Sequence, residues 1–141
     1  MNEVSSPGLT LEIIGALHAI SARLEAALEP LDLSLAKFGV LSKLVAAGEP
    51  LPLGTLADRC ACVRSNITQL VDRLEMDGLV QRVHDPRDRR SVLAELTSEG
   101  RRRYEAALVV LEATEFQILS ALDEPQRQGL LPLLRALQAA S

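Results

Sequence analysis

The chain has 141 residues, 48% hydrophobic and 2% aromatic, with a net charge of −4. That length favours one domain, and its core must be aliphatic because Phe38, Tyr104 and Phe116 are the only aromatic residues. So few rings exclude a reader of single-stranded nucleic acid that stacks bases on aromatic platforms, and charge-free runs of at most ten residues exclude a membrane-spanning helix.

The net charge conceals a segregation. Met1 to Asp58 carries 3 basic and 7 acidic residues, Arg59 to Arg103 carries 10 and 7, and Tyr104 to Ser141 carries 2 and 5. The middle segment is therefore basic between two acidic flanks, which either limit indiscriminate binding to phosphate or are simply solvated faces. The opening MNEVSSPGLT has neither a basic n-region nor an apolar h-region, so no secretory leader is expected. Two cysteines one residue apart build no disulfide framework, and a reducing cytoplasm is the expected compartment.

Met1 to Gly8 reads as a loose arm, with Thr10 as the N-cap of a first helix. Ile13, Leu17, Ile20, Leu24 and Leu28 recur at helical spacing, widened by Ile14 and Ala27, until Pro30 ends or kinks the helix. The stripe is either core or a seam between subunits. Ser34 caps a second helix that buries Phe38, Leu41, Leu44 and Val45 and stops at Gly48. The run GEPLP reads as a loop, and Leu53 to about Arg59 as a short third helix with Leu56 and Ala57 inward.

A fourth helix starts near Val63, with Ile67, Leu70, Val71 and Leu74 as its apolar stripe. The opposite face centres on Ser65, Gln69 and Asp72, flanked by Asn66, Thr68 and Arg73. Such side chains either form an ordinary solvated face or hydrogen-bond base edges and phosphate oxygens in a major groove. Gly78 supplies a left-handed C-cap. Residues 79–83 and 91–96 then alternate as two strands around His84-Asp85-Pro86-Arg87-Asp88-Arg89-Arg90, a hairpin with arginines at its tip of the kind drawn into a narrow minor groove. Asp88 is expected to hold an arginine's guanidinium fork. Residues 97–100 open a long fifth helix to about Leu122. Asp123 caps a sixth, whose apolar face is Leu130, Leu133, Leu134 and Leu137 and which Pro132 should bend or delay.

The order is helix, turn, helix, strand, arginine-rich loop, strand: a helix-turn-helix with a β-hairpin wing, a module that reads duplex DNA. The fold class is mainly α with a small β-hairpin wing. At this level the chain resembles the multiple-antibiotic-resistance regulator (MarR) family of bacterial transcription factors over nearly its whole length. The resemblance rests on Asn66-Ile67-Thr68, Leu70 to Glu75, Gly78-Leu79-Val80, Asp85 to Ser91, Leu96-Thr97 and Gly100. It implies a single domain over 1–141, with a winged helix-turn-helix lobe at 33–100 and a helical dimerisation region at 9–32 and 101–141. It further implies an obligate homodimer, a pseudo-palindromic double-stranded operator, and usually repression relieved by a small anionic or phenolic ligand or an oxidant. The family's Asp-x-Arg pair, whose arginine probes the minor groove, matches Asp88 and Arg90. The expected DNA contacts are Arg64, Ser65, Asn66, Thr68, Gln69, Arg73, Arg87, Asp88, Arg89 and Arg90. The chain departs from the family where a turn glycine and a capping Ser or Thr are usual, with Ala61 and Val63 in those positions.

Cys60 and Cys62 fall where apolar residues would pack the helix-turn-helix, so they are either core thiols or a redox switch beside the recognition helix, with Arg59 and Arg64 available to lower a thiolate pKa. His18 is either a rim or core histidine or a contact for an anionic effector. No metal site is expected from two cysteines and His84, since a structural zinc site wants four ligands. No cofactor is expected, and the absence of a Ser-His-Asp set and of a phosphate-binding glycine loop argues against an enzyme. A winged helix used only for protein contact is the remaining alternative, against which the wing arginines speak.

Overall fold

The computed structural model describes residues 7–61 and 64–140, with the side chains of 64 and 65 left aside. Helix α1 runs Gly8–Leu28 and passes into a single 3-10 turn, Glu29–Leu31. Helix α2 is Leu35–Ala47, strand β1 Leu51–Pro52, α3 Leu53–Arg59 and α4 Arg64–Met76. Strands β2, Val80–Asp85, and β3, Asp88–Leu96, form the wing, followed by α5, Ser98–Leu119, and α6, Glu124–Ala139.

The sheet order is β1-β3-β2, antiparallel throughout. Strand β1 corrects the reading of GEPLP as loop, since Leu51 and Pro52 pair with Ala94 and Leu93. Two residues, one a proline, have no strand signal of their own. Pro52 is tolerated because β1 is an edge strand that owes no second ladder of hydrogen bonds. The hairpin strands are longer than their composition suggests, leaving only Pro86-Arg87 as the turn.

The caps explain why the helices stop where they do. Ser34 Oγ accepts from the Lys37 N–H at 3.1 Å, and Gly48, at φ 68°, closes α2 with its N–H on Leu44 O. At the end of α4, Leu79 N–H reaches Leu74 O and Gly78 N–H reaches Glu75 O, a Schellman closure with Gly78 at φ 76°. The same 6→1 and 5→2 pattern ends the 3-10 turn, with Asp32 at φ 56° taking the left-handed position and Leu33 dropping into the core. Asp123 and Gln126 cap α6 reciprocally. Two expectations need correction. Helix α1 starts before Thr10, whose hydroxyl lies inside the first turn and donates to Pro7 O at 2.7 Å. Helix α6 starts at Glu124 and runs through Pro132, which removes one backbone donor without shifting the start.

The core lies in the lobe. Val40, Leu41 and Leu44 of α2, Leu56 of α3 and Ile67, Val71 and Leu74 of α4 close over Leu79, Val80 and Ala94 at the wing's base. Leu28, at the end of α1, and Gly100 and Ala107 of α5 are the buried contributions of the long helices. Phe38 and Tyr104 stack at 5.4 Å between ring centroids and join α2 to α5. Except for the buried Leu28 and the half-buried Leu24, the α1 stripe is therefore not core within one chain. Leu17 is 58% exposed, Phe116 71% and Leu133 65%, and a groove of about 560 Å³ opens between α1, α5 and α6, walled by residues such as Ile20, Leu24, Leu111, Leu119 and Leu130. No helix among the described residues is long and apolar enough to cross a membrane.

Candidate nucleic-acid interface

Helix α4 is amphipathic in the strict sense. Ile67, Val71 and Leu74 are fully buried, while Asn66, Thr68, Gln69, Asp72 and Arg73 are exposed. The first turn carries Arg64, and the side chains of Arg64 and Ser65 lie outside what is described, as do Cys62 and the proposed helix start at Val63. After the third helix, Ala61 takes φ 52°, a left-handed conformation that glycine adopts without strain. Its N–H is held by Asp58 O at 3.2 Å.

The wing supplies the second surface. Arg87, Arg89 and Arg90 are all exposed. Asp85 Oδ1 accepts the backbone N–H of Arg87 at 2.9 Å, and Asp88 Oδ1 accepts that of Arg90 at 3.0 Å. This corrects the expectation that Asp88 holds a guanidinium. Two residues apart, a short carboxylate reaches the main chain and shapes the turn, while the arginine side chains stay uncommitted. Arg89 and Arg90 lie on β3 between the pairs Asp85↔Asp88 and His84↔Val92, where the register shifts.

Helix and wing are tied together by Arg82 on β2. Its Nη1 donates to Glu75 Oε1 at 2.8 Å, its backbone N–H donates to Glu75 Oε2 at 2.9 Å, and its Nη2 contacts Asp72 Oδ1. Partial burial pulls the guanidinium pKa down, but the hydrogen bonds and charges of Asp72 and Glu75 outweigh it, so the value sits above its ordinary one. Arg82 therefore stays charged throughout the working pH range. Composition gave no hint of this clasp. Asp72, read from helical geometry as part of the outward face, is committed to Arg82. The available signal was a pair of carboxylates at i and i+3 on α4 seven to ten residues before a lone strand arginine.

The far end of the wing is anchored as firmly. Thr97 Oγ1 donates to Gly78 O at 2.7 Å and accepts from Gly100 N–H at 3.0 Å, and Thr97 N–H reaches Leu79 O at 3.1 Å. Gly100 is buried so tightly that a Cβ there would lie 2.0 Å from Leu79 O.

The remaining candidates are not gathered into this surface. His18 is exposed midway along α1, which within one chain sets aside the core alternative and leaves the rim and effector readings. Cys60 is half-buried against the core at the end of α3, its N–H on Leu56 O. Among the described residues there is no cluster of three His, Cys, Asp or Glu side chains able to hold a metal. Glu25 Oε1 accepts the Leu35 N–H at 2.6 Å and so ties α1 to the lobe, and Arg103 Nη1 of α5 donates to Leu31 O of the 3-10 turn at 2.6 Å.

Comparison with known proteins agrees with this geometry. The MarR family model matches residues 33–92. The HTH-type transcriptional regulator YfiV of Bacillus subtilis is 36% identical over 116 residues, 78% of this chain and 71% of that protein. YkoM of the same organism, also an HTH-type transcriptional regulator, is 31% identical over 70% of this chain, which spans 64% of its length. Among solved structures, the MarR family regulator Sco5413 from Streptomyces coelicolor superimposes with a TM-score of 0.86 at 29% identity, covering 98% of this chain and 96% of that one. A MarR variant from E. coli complexed with operator DNA has the same fold, with a TM-score of 0.85 at 24% identity over 95% and 96% of the two chains.

Proposed function

The chain belongs to the MarR family of transcriptional regulators, and on that premise we propose that it is a homodimeric, sequence-specific binder of double-stranded DNA that represses until a small ligand releases it. The observation that carries the reading is the pairing of two exposed polar surfaces in one lobe. The exposed Asn66, Thr68, Gln69 and Arg73 of α4 fit a major groove, and the exposed Arg87, Arg89 and Arg90 of the wing fit the adjoining minor groove. Arg64 and Ser65, in the first turn of α4, join them in this reading by position on the helix.

Dimerisation is supported by the uncovered apolar faces of α1, α5 and α6, since a monomer rarely leaves contiguous apolar surface of that extent in water. A two-fold axis through these helices sets two recognition helices on one side of the duplex, and the operator is then a pseudo-palindrome with half-sites about 34–36 Å apart. Release follows if a small anionic or phenolic ligand, entering beside the long helices, disturbs the Glu25–Leu35 or Arg103–Leu31 contacts and swings the lobes off that spacing. A soluble, cytoplasmic, non-enzymatic protein is consistent with each of these features.

Fluorescence anisotropy tests the reading, with the purified protein titrated onto labelled DNA from upstream of its own gene and onto random duplex of equal length. The expected result is saturable binding to the upstream DNA, at least 100-fold tighter than to random duplex and falling steeply as salt rises. Equal affinity for both, at every salt concentration, would refute autoregulation and send the search to genome-wide selection.

A further inference from the structure

We propose that Arg82 is a positioning residue for DNA reading: its fork clamps the first strand of the wing to the recognition helix α4 and so sets the angle at which helix and wing enter their grooves. The functional half of this proposal rests on the DNA-binding reading above, whereas the structural half does not.

The argument starts from where the contacts fall. Glu75 and Asp72 lie one turn apart on α4, and Arg82 lies in the middle of β2, where it pairs with Ala94 of β3. Glu75 uses both oxygens on the same residue, one for the guanidinium and one for the backbone N–H. Nη2 turns to Asp72. Three donors of one residue therefore meet two carboxylates of one helix, and neither the strand nor the helix can rotate or slide without breaking at least one contact. Arg82 is 26% exposed at its side chain, against 55% for Asp72, so the fork is partly shielded while its partner faces solvent.

A planar guanidinium is needed for this. Lysine carries the same charge but a single nitrogen, and it cannot span both carboxylates. The second consequence is electrostatic. Asp72 shares the exposed side of α4 with Gln69 and lies beside Arg73. Uncovered, Asp72 and Glu75 would set two negative charges beside the candidate phosphate contacts. Arg82 offsets one of those two charges and pairs with both carboxylates.

The test compares the parent protein with R82K, R82M and the triple variant R82M/D72N/E75Q, in two arms. Without DNA, hydrogen exchange is followed along β2, β3 and α5. The clamp predicts that R82K and R82M both speed exchange in β2 and β3 by tenfold or more while α5 is unchanged. With DNA, anisotropy is measured against the upstream probe over a range of salt. R82M is expected to lose at least tenfold in affinity, and R82K to lie nearer R82M than the parent. The triple variant should recover part of the loss, because the bare carboxylates are gone, but not all of it. The slope of log affinity against log salt should stay at the parent value in R82M, because a residue that touches no phosphate releases no counterion.

Parent-like exchange in both single variants would overturn the clamp. An R82K affinity nearer the parent than R82M would reduce Arg82 to a point charge and overturn the positioning claim, as would a salt slope lowered by about one in R82M, the mark of a phosphate contact. If the parent fails to distinguish the upstream DNA while the exchange arm behaves as predicted, the DNA reading fails and the clamp stands. R82K keeps the charge and most of the side-chain volume, so it carries both arms even if R82M does not fold.

Discussion

Replacing Gly100 by alanine should destabilise this protein more than the same change at Gly15, Gly39, Gly48, Gly78 or Gly129. The new Cβ would sit 2.0 Å from Leu79 O, 2.8 Å from Leu96 Cδ1 and 3.0 Å from Leu79 C. The closest obstacle is a backbone carbonyl, which cannot swing aside as a side-chain terminus does. Clearing it to 3.0 Å requires the start of α5 and the α4–β2 connection to part by about 1 Å, which the tight interior opposes. Overpacking of this kind costs about 1–3 kcal/mol. The displaced segment also holds Gly100 N–H on Thr97 Oγ1, Thr97 Oγ1 on Gly78 O and Thr97 N–H on Leu79 O, each worth about 1 kcal/mol. Losing two of the three, less about 1 kcal/mol regained from alanine's better helix propensity, leaves a net loss of roughly 3 kcal/mol. For a chain of this size that is roughly a 10 °C fall in Tm. The assay is urea unfolding at fixed protomer concentration, since dimerisation would make stability concentration-dependent. Gly39→Ala is the control. It lies inside α2 with nothing within 4 Å of an added Cβ, so it should gain about 0.5–1 kcal/mol. A Gly100→Ala midpoint within about 1 kcal/mol of the parent would refute the packing account of the wing's anchor.

Three further outcomes are expected. Ala61→Gly relieves a left-handed alanine in the turn before α4 and should raise stability by about 0.5–1 kcal/mol, read as a higher urea midpoint at unchanged m; a fall would mean that the turn is not strained. Arg90→Ala should weaken binding to all duplexes and lower the salt slope by about one, whereas Gln69→Ala should change base preference more than overall affinity, as competition titrations against single-base variants of the probe would record. Ile20→Glu, on the exposed stripe of α1 that lines the groove with α5 and α6, should shift the protein from dimer to monomer in light scattering, and a dimer of unchanged mass would move the interface elsewhere.

Much of the lobe could be read before any coordinates. The 3.6-residue repeat of Ile67, Leu70, Val71 and Leu74 is a local signal, and the helix buries that stripe. Ser34, Gly48, Gly78 and Asp123 act within four residues of themselves, so their caps are written in local sequence. What escaped is what depends on distant partners. Strand β1 exists only because β3 pairs with it. Asp72 and Glu75 look like ordinary polar residues of an exposed helix until Arg82 arrives from the next element. Helix α6 absorbs Pro132, though a proline inside a helix normally argues for a break. The α1 stripe was ambiguous for a sound physical reason: core and interface demand the same apolar periodicity, and only the exposure of Ile13, Leu17 and Ile20 separates them. The polar residues of α4 and the wing arginines were visible as chemistry, but the commitment of one carboxylate pair to Arg82 was not.

The central claim is that two copies of this lobe read duplex DNA with helix and wing together. Hydroxyl-radical footprinting on the tightest-binding fragment tests it most directly. The account predicts two protected half-sites about 10–10.5 base pairs apart, or one further turn, each flanked by a minor-groove protection that disappears in Arg90→Ala. A single unpaired footprint, or flanking protection untouched by that substitution, would contradict it.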